Sequence, residues 1–232
     1  MKKKLPYFIC LINALFILTI FILNYFYQLN DFNFTLKCIT SGLFALQGII
    51  NFLYLLLVKK IHFLIPLIMT IGLILAMLGD VTINHNFIIG AAIFALGHVA
   101  FLISYFLKQK GRLLDIVFST FLIMGTVFFI ATSKHLVFNE SILKAVVIIY
   151  AVIISIMFSK SLSNFIYKKN LHNLIITISS LLFLLSDLFL LIAWFSNVKE
   201  PWQSNVCMAL YYPALTGLAL SLIIPESKKA TK

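Results

Sequence analysis

The stretch Ile61–Arg112, IHFLIPLIMTIGLILAMLGDVTINHNFIIGAAIFALGHVAFLISYFLKQKGR, decides the fold class. It holds two continuous apolar runs, divided by the turn Asn84-His85-Asn86 and closed by a basic cluster. A hydrocarbon core about 30 Å thick needs roughly 20 apolar residues at the helical rise of about 1.5 Å per residue. Neither run alternates polar with apolar residues, which excludes a transmembrane β-barrel. Each run therefore reads as one membrane-crossing helix.

The same reading extends in both directions. The 232 residues are 62% hydrophobic and 11% charged, with a mean hydropathy of +1.07, far from a soluble domain. Eight apolar stretches emerge: Leu5–Tyr27, Phe32–Val58, Ile61–Ile83, Phe87–Leu107, Leu113–Thr132, Ser141–Ser159, Leu171–Phe195 and Trp202–Ile224. No linker between them is long enough to set off a second domain, so residues 1–232 read as a single unit. The first run follows Lys2, Lys3 and Lys4, lacks a small-residue cleavage site and continues too far for a signal peptide. It is expected to be an uncleaved insertion signal.

The formal net charge of +11 does not point to nucleic acid, because the basic residues sit in small clusters between apolar runs. Cytoplasmic loops carry the excess of Lys and Arg. With eight spans, only Lys37, Lys134, Lys144 and Lys199 of the eighteen Lys and Arg lie on one side, and the other fourteen share the opposite side. The expectation is an all-α membrane protein, a bundle of eight transmembrane helices with both termini cytoplasmic, integral and multi-pass, in the inner membrane if bacterial. Leu75–Asp80 (LAMLGD) and Leu182–Asp187 (LFLLSD), four helices apart, suggest a parallel repeat.

Polar residues inside the spans carry the functional signal. Asp31, Asp115, Glu140, Glu200 and Glu226 fall in loops or at the ends of runs, where solvation makes them cheap. Asp80 and Asp187 do not, and an ionisable group at mid-membrane costs about 2.5–3.5 kcal/mol on the insertion scale, so it faces protein or a wet cavity. Helical rise puts Lys37 near the depth of Asp80, and His98, Tyr150 and Tyr211 near that of Asp187. If those faces converge, they form one polar pocket. As lone residues, His98 is equally a packed histidine, Tyr211 an aromatic of the core, and either aspartate a structural tie between helices. Cys10, Cys38 and Cys207 read as packing residues. His62, His135 and His172 read as solvated at membrane edges, and Gly90 and Gly97 as sites of close helix packing. Neither a metal-ligand spacing nor a nucleotide loop nor a serine elbow occurs, so no cofactor and no metal are expected.

LGDVTI around Asp80, GAAIFALGHVAF around His98 and LLFLLSDLFLL around Asp187 resemble the YhhN-like lysoplasmalogenase family. Lys37, YAVIISIM from Tyr150 and YYPA from Tyr211 extend the likeness. The chain departs from the family pattern at Cys38, Phe101 and Leu215. The resemblance implies hydrolysis of the vinyl ether bond of lysoplasmalogens to a fatty aldehyde and glycerophosphocholine or glycerophosphoethanolamine. It implies a lysophospholipid and membrane lipids as partners, with no obligatory protein partner.

The chemistry suits the residues. Protonating the β carbon of a vinyl ether gives an oxocarbenium ion that water attacks, so one carboxyl must be protonated and a second group anionic. Burial favours the neutral carboxyl and an adjacent cation the charged one. That suggests Asp187 as general acid and Asp80, beside Lys37, as the carboxylate, although the reverse assignment satisfies the same inventory. A small proton-coupled transporter or a lipid-binding membrane protein would use the same Asp and His groups.

Overall fold

The computed structural model describes residues 6–29, 33–59 and 63–225. Eight helices follow in order: α1 (Tyr7–Leu29), α2 (Phe34–Tyr54, continued by a π-helical turn, Leu55–Lys59), α3 (Leu64–Thr82), α4 (Phe87–Lys108), α5 (Leu113–Thr132), α6 (Ser141–Tyr167), α7 (Leu171–Phe195) and α8 (Pro201–Ser221). Among the described residues there is no β-strand beyond one isolated bridge. Lys2 to Lys4, Asp31, Lys60, His62, Glu226 and the lysines after it lie outside the described residues.

Seven helices, α1 to α7, are long and apolar enough to cross a membrane, which makes the chain a multi-pass membrane protein. The eighth is 21 residues long but much less apolar. Its position explains this: α8 packs on α1, α2, α3 and α7, and Tyr211, Tyr212, Leu215, Leu218 and Ala219 are buried. A helix packed on protein over most of its length can carry small and polar residues that lipid would not accept. At the other extreme, α5 is packed mainly on α6 and exposes Phe121, Met124 and Phe128.

Three expectations need correction. Helix α6 runs on to Tyr167 rather than stopping at Ser159, so Lys160 is a helical residue and fully buried. It meets Asp115 at 2.9 Å and donates to the Lys110 carbonyl at 2.9 Å. Asp115 is therefore a buried ion-pair partner, not a solvated carboxylate. A lysine that finds an anion and a carbonyl need not end a span. His172 is likewise buried, its Nδ1 3.2 Å from the Ile224 carbonyl oxygen, with Lys108 against its other nitrogen. Cys10 is exposed on the outer surface of α1, whereas Cys207 is packed inside.

Helices α3 and α4 pack closely beside the site. A Cβ on Gly90 would collide with the Ile83 backbone, and one on Gly97 would lie 3.2 Å from the Gly72 carbonyl oxygen. Glycine at these positions lets the backbones approach, setting Asp80 and His98 on adjoining helices. Asn86 caps α4 by accepting from the Ile89 N–H at 3.1 Å, which ends the hairpin turn.

Candidate active site

Lys37 and Ser41 lie one turn apart on α2, and Asp80 and Asn84 one turn apart at the end of α3. Side chains at such spacing share a face, so the two pairs meet. Lys37 Nζ is 3.0 Å from Asp80 Oδ1 and donates to Asn84 Oδ1 at 2.9 Å. Ser41 Oγ donates to Asp80 Oδ2 at 2.5 Å and lies 3.5 Å from Tyr212 Oη. Both oxygens of Asp80 are thus occupied by protein donors, and Lys37 and Asp80 are almost wholly buried.

The second aspartate is held differently. Tyr150 Oη donates to Asp187 Oδ2 at 2.7 Å, and His98 Nε2 is 2.7 Å from Tyr150 Oη and 3.3 Å from Asp187 Oδ2. Because the single hydroxyl hydrogen of Tyr150 goes to Asp187, the hydrogen between His98 and Tyr150 belongs to Nε2. His98 Nδ1 is buried without a partner among the described residues. No described residue hydrogen-bonds Asp187 Oδ1, so both protein contacts converge on one oxygen.

Asp187 and Tyr150 also supply the polar edge of a cavity of about 40 Å³, whose remaining walls include Ile83, Phe87, Phe94, Val147 and Leu190. One probe sphere of about 10–15 Å³ is enough for a water, so the cavity holds a few small groups beside the carboxyl. Its walls come from the ends of α3 and α4 and from α6 and α7.

The structure brings Lys37 to Asp80, and His98 and Tyr150 to Asp187. It does not merge them into one pocket. Phe94, Phe183 and Tyr211 form an edge-to-face set, with ring centroids 6.4 Å apart for Phe94 and Phe183 and 5.6 Å for Phe183 and Tyr211. His98 packs on Phe183 at 4.5 Å. Tyr211 Oη donates to the Ala76 carbonyl at 3.2 Å rather than to a carboxylate, so Tyr211 is a wall between the clusters. Ser41, Asn84 and Tyr212 were missed from the sequence. The i, i+4 spacing of Ser41 from Lys37 was the available signal.

A buried amide cluster was also missed. Asn13 Nδ2 donates to Asn51 Oδ1 at 2.8 Å, and Gln47 Nε2 to Asn13 Oδ1 at 2.9 Å. Asn51 Nδ2 reaches the Ala219 carbonyl at 2.8 Å. These bonds tie α1, α2 and α8 together and stand apart from the two aspartates.

Fold and site together define a class: a multi-pass helical membrane protein in which the buried carboxyls of Asp80 and Asp187 form two neighbouring centres, the second beside an apolar cavity. The chain belongs to the YhhN family, whose model matches residues 32–222. That match covers every residue of both centres. No curated protein and no solved structure matches the chain.

Proposed function

We propose that the protein is a lysoplasmalogenase, a hydrolase of the vinyl ether bond of lysoplasmalogens. The observation that carries this reading is the setting of Asp187, whose carboxyl is anchored through one oxygen by Tyr150 and His98 and which lines an apolar cavity. An alkenyl chain suits such walls, and the β carbon of a vinyl ether needs a proton from an acid that water does not swamp. Membership of the YhhN family is consistent with a hydrolase.

In this reading Asp187, protonated, gives its proton to the β carbon, and the resulting cation is shared between the α carbon and the ether oxygen. Water adds to the α carbon and returns a proton to Asp187. The hemiacetal then collapses to the fatty aldehyde and the freed glycerol hydroxyl, so the carboxyl ends as it began. Tyr150 and His98 fix the carboxyl's orientation and steady its charge between the two proton transfers. Asp80, paired with Lys37 at 3.0 Å, lies one turn from Ile83 in the cavity wall and is assigned the second carboxylate role. Lysophospholipid and membrane lipids are the partners this chemistry requires.

For topology, α8 is taken as an eighth span, which returns the carboxyl end to the side of the amino end. The division of fourteen against four basic residues supports it.

The test is aldehyde release by purified protein in detergent, on lysoplasmalogens and matched ester lysolipids. Release from the vinyl ethers alone is expected. No release from any vinyl ether by folded protein overturns the reading, and solute movement seen only in sealed vesicles would favour a transporter.

A further inference from the structure

The cavity at Asp187 is too small for a long chain, so something must yield when one binds. Phe87, the first residue of α4, is the wall residue best placed to do so. Its ring packs both on the main core and on a separate small cluster built on Ile130, Val147 and Phe195. It stands edge-on to Phe195 at 5.0 Å and beside Trp194 at 5.2 Å. Ile83, Ala91, Phe94 and Val147 in the same wall are buried, whereas Phe87, Tyr150, Leu190 and Leu191 are half-buried; of these, Phe87 packs against Trp194, which is 38% exposed.

Two connecting loops brace this corner from outside. The segment between α5 and α6 pairs with the segment between α7 and α8 through the bridge of Leu136 with Ser196. Val137 N–H donates to the Phe195 carbonyl at 2.8 Å, and Asn197 N–H to the His135 carbonyl at 2.9 Å. Phe138 then lies on Phe195, ring centroids 4.7 Å apart. Phe195 is thus fixed by backbone and ring contacts, and Phe87 is the movable partner against it.

We propose that Phe87 is the specificity gate of the cavity: its ring must turn aside for the apolar chain of a single-chain ether lipid to pass from Asp187 to the membrane. This rests on the reading of the cavity given above. The chain lies between α4 and α7, which touch there through the rings of Phe87, Trp194 and Phe195. Replacing Phe87 with a smaller residue widens that passage, and a larger ring narrows it.

Trp194 reports on the gate without turnover, since the chain has only two tryptophans and Trp202→Phe leaves it as the sole emitter. The probe is a saturated alkyl ether lysophosphocholine, which has no vinyl ether to cleave. Its addition should change Trp194 emission saturably, with no such change in Trp194→Phe, which retains Trp202. On lysoplasmalogens of graded chain length and of branching near the double bond, Phe87→Ala should raise kcat/KM for bulky chains relative to slim ones by roughly tenfold, and Phe87→Trp should lower it. This is the scale on which apolar pockets discriminate.

Phe87→Leu keeps an apolar side chain should the alanine variant fail to fold, and it should shift the preference in the same direction. Unchanged chain preference in Phe87→Leu and Phe87→Trp, with aldehyde still released, overturns the gate and leaves the hydrolase standing. No response of Trp194 to the probe also overturns it. A saturable response that Phe87→Leu alters, without aldehyde from any substrate, supports the gate and removes the hydrolase instead.

Discussion

Asp80 and Asp187 are both buried carboxylates inside a membrane protein, and each has a basic residue at hand. Asp80 faces a lysine and a serine hydroxyl, one on each oxygen. Asp187 receives tyrosine and histidine on a single oxygen and lines an apolar cavity. The first is a closed pair, with both carboxyl oxygens met by protein donors. The second has an oxygen that no described residue hydrogen-bonds, and the residue borders the cavity. Burial alone therefore does not distinguish the two carboxyls; the number of oxygens occupied by protein donors does.

The largest effect tests that asymmetry directly. Asp187→Asn keeps an acceptor for Tyr150 but cannot pass a proton, so aldehyde release should fall by about 10²–10⁴ with little loss of thermal stability. Near-normal turnover in this variant would move the proton donor elsewhere and break the comparison.

Asp80→Asn should lose turnover by about 10² and also stability, because it strands Lys37 without its anion. Breaking one side of a buried pair costs about 3–5 kcal/mol. Adding Lys37→Met removes the stranded charge and should restore most of the stability, but not the turnover. Denaturation and aldehyde release, measured on both variants, separate the two consequences. If the double variant regains activity, Asp80 is a structural tie only.

The third carboxylate pair sharpens the contrast. Asp115 and Lys160 are also buried and close, 2.9 Å apart, yet they brace the α4–α5 connection against α6 and neither lines the cavity at Asp187. Lys160→Met should destabilise by about 3–5 kcal/mol while the folded fraction turns over at the normal rate. A fall in kcat for folded Lys160→Met would mean that this end of the molecule communicates with Asp187.

These three pairs differ in how far the sequence revealed them. The apolar runs located α1 to α7 because lipid demands continuous hydrophobicity, and helical rise matched Lys37 with Asp80 and His98 with Asp187 in depth. Depth says nothing of azimuth, so the aromatic wall of Phe94, Phe183 and Tyr211 between the clusters was invisible. Lys160 misled for a related reason. A lysine at the edge of an apolar run looks like a loop residue until an anion from another helix is found for it, and Asp115 lies forty-five positions away. Helix α8 was outlined by length, but its polar character reflects neighbours that only the fold supplies.

The smallest effect belongs to Glu200, which the sequence places in the same class as Asp115. Glu200 is exposed just ahead of α8, where a negative charge near a helix N-terminus contributes about 0.3–1 kcal/mol. The bonds that fix this turn use its backbone and the side chain of Gln203. The Glu200 N–H donates to Gln203 Oε1 at 3.4 Å, and Gln203 Nε2 donates to the Val198 carbonyl at 3.0 Å. Glu200→Gln removes the charge and leaves those contacts in place. A slight drop in melting temperature with unchanged aldehyde release is therefore expected, against the large destabilisation of Asp115→Asn. Equal effects from the two substitutions would show that burial and pairing at Asp115 count for no more than solvated charge.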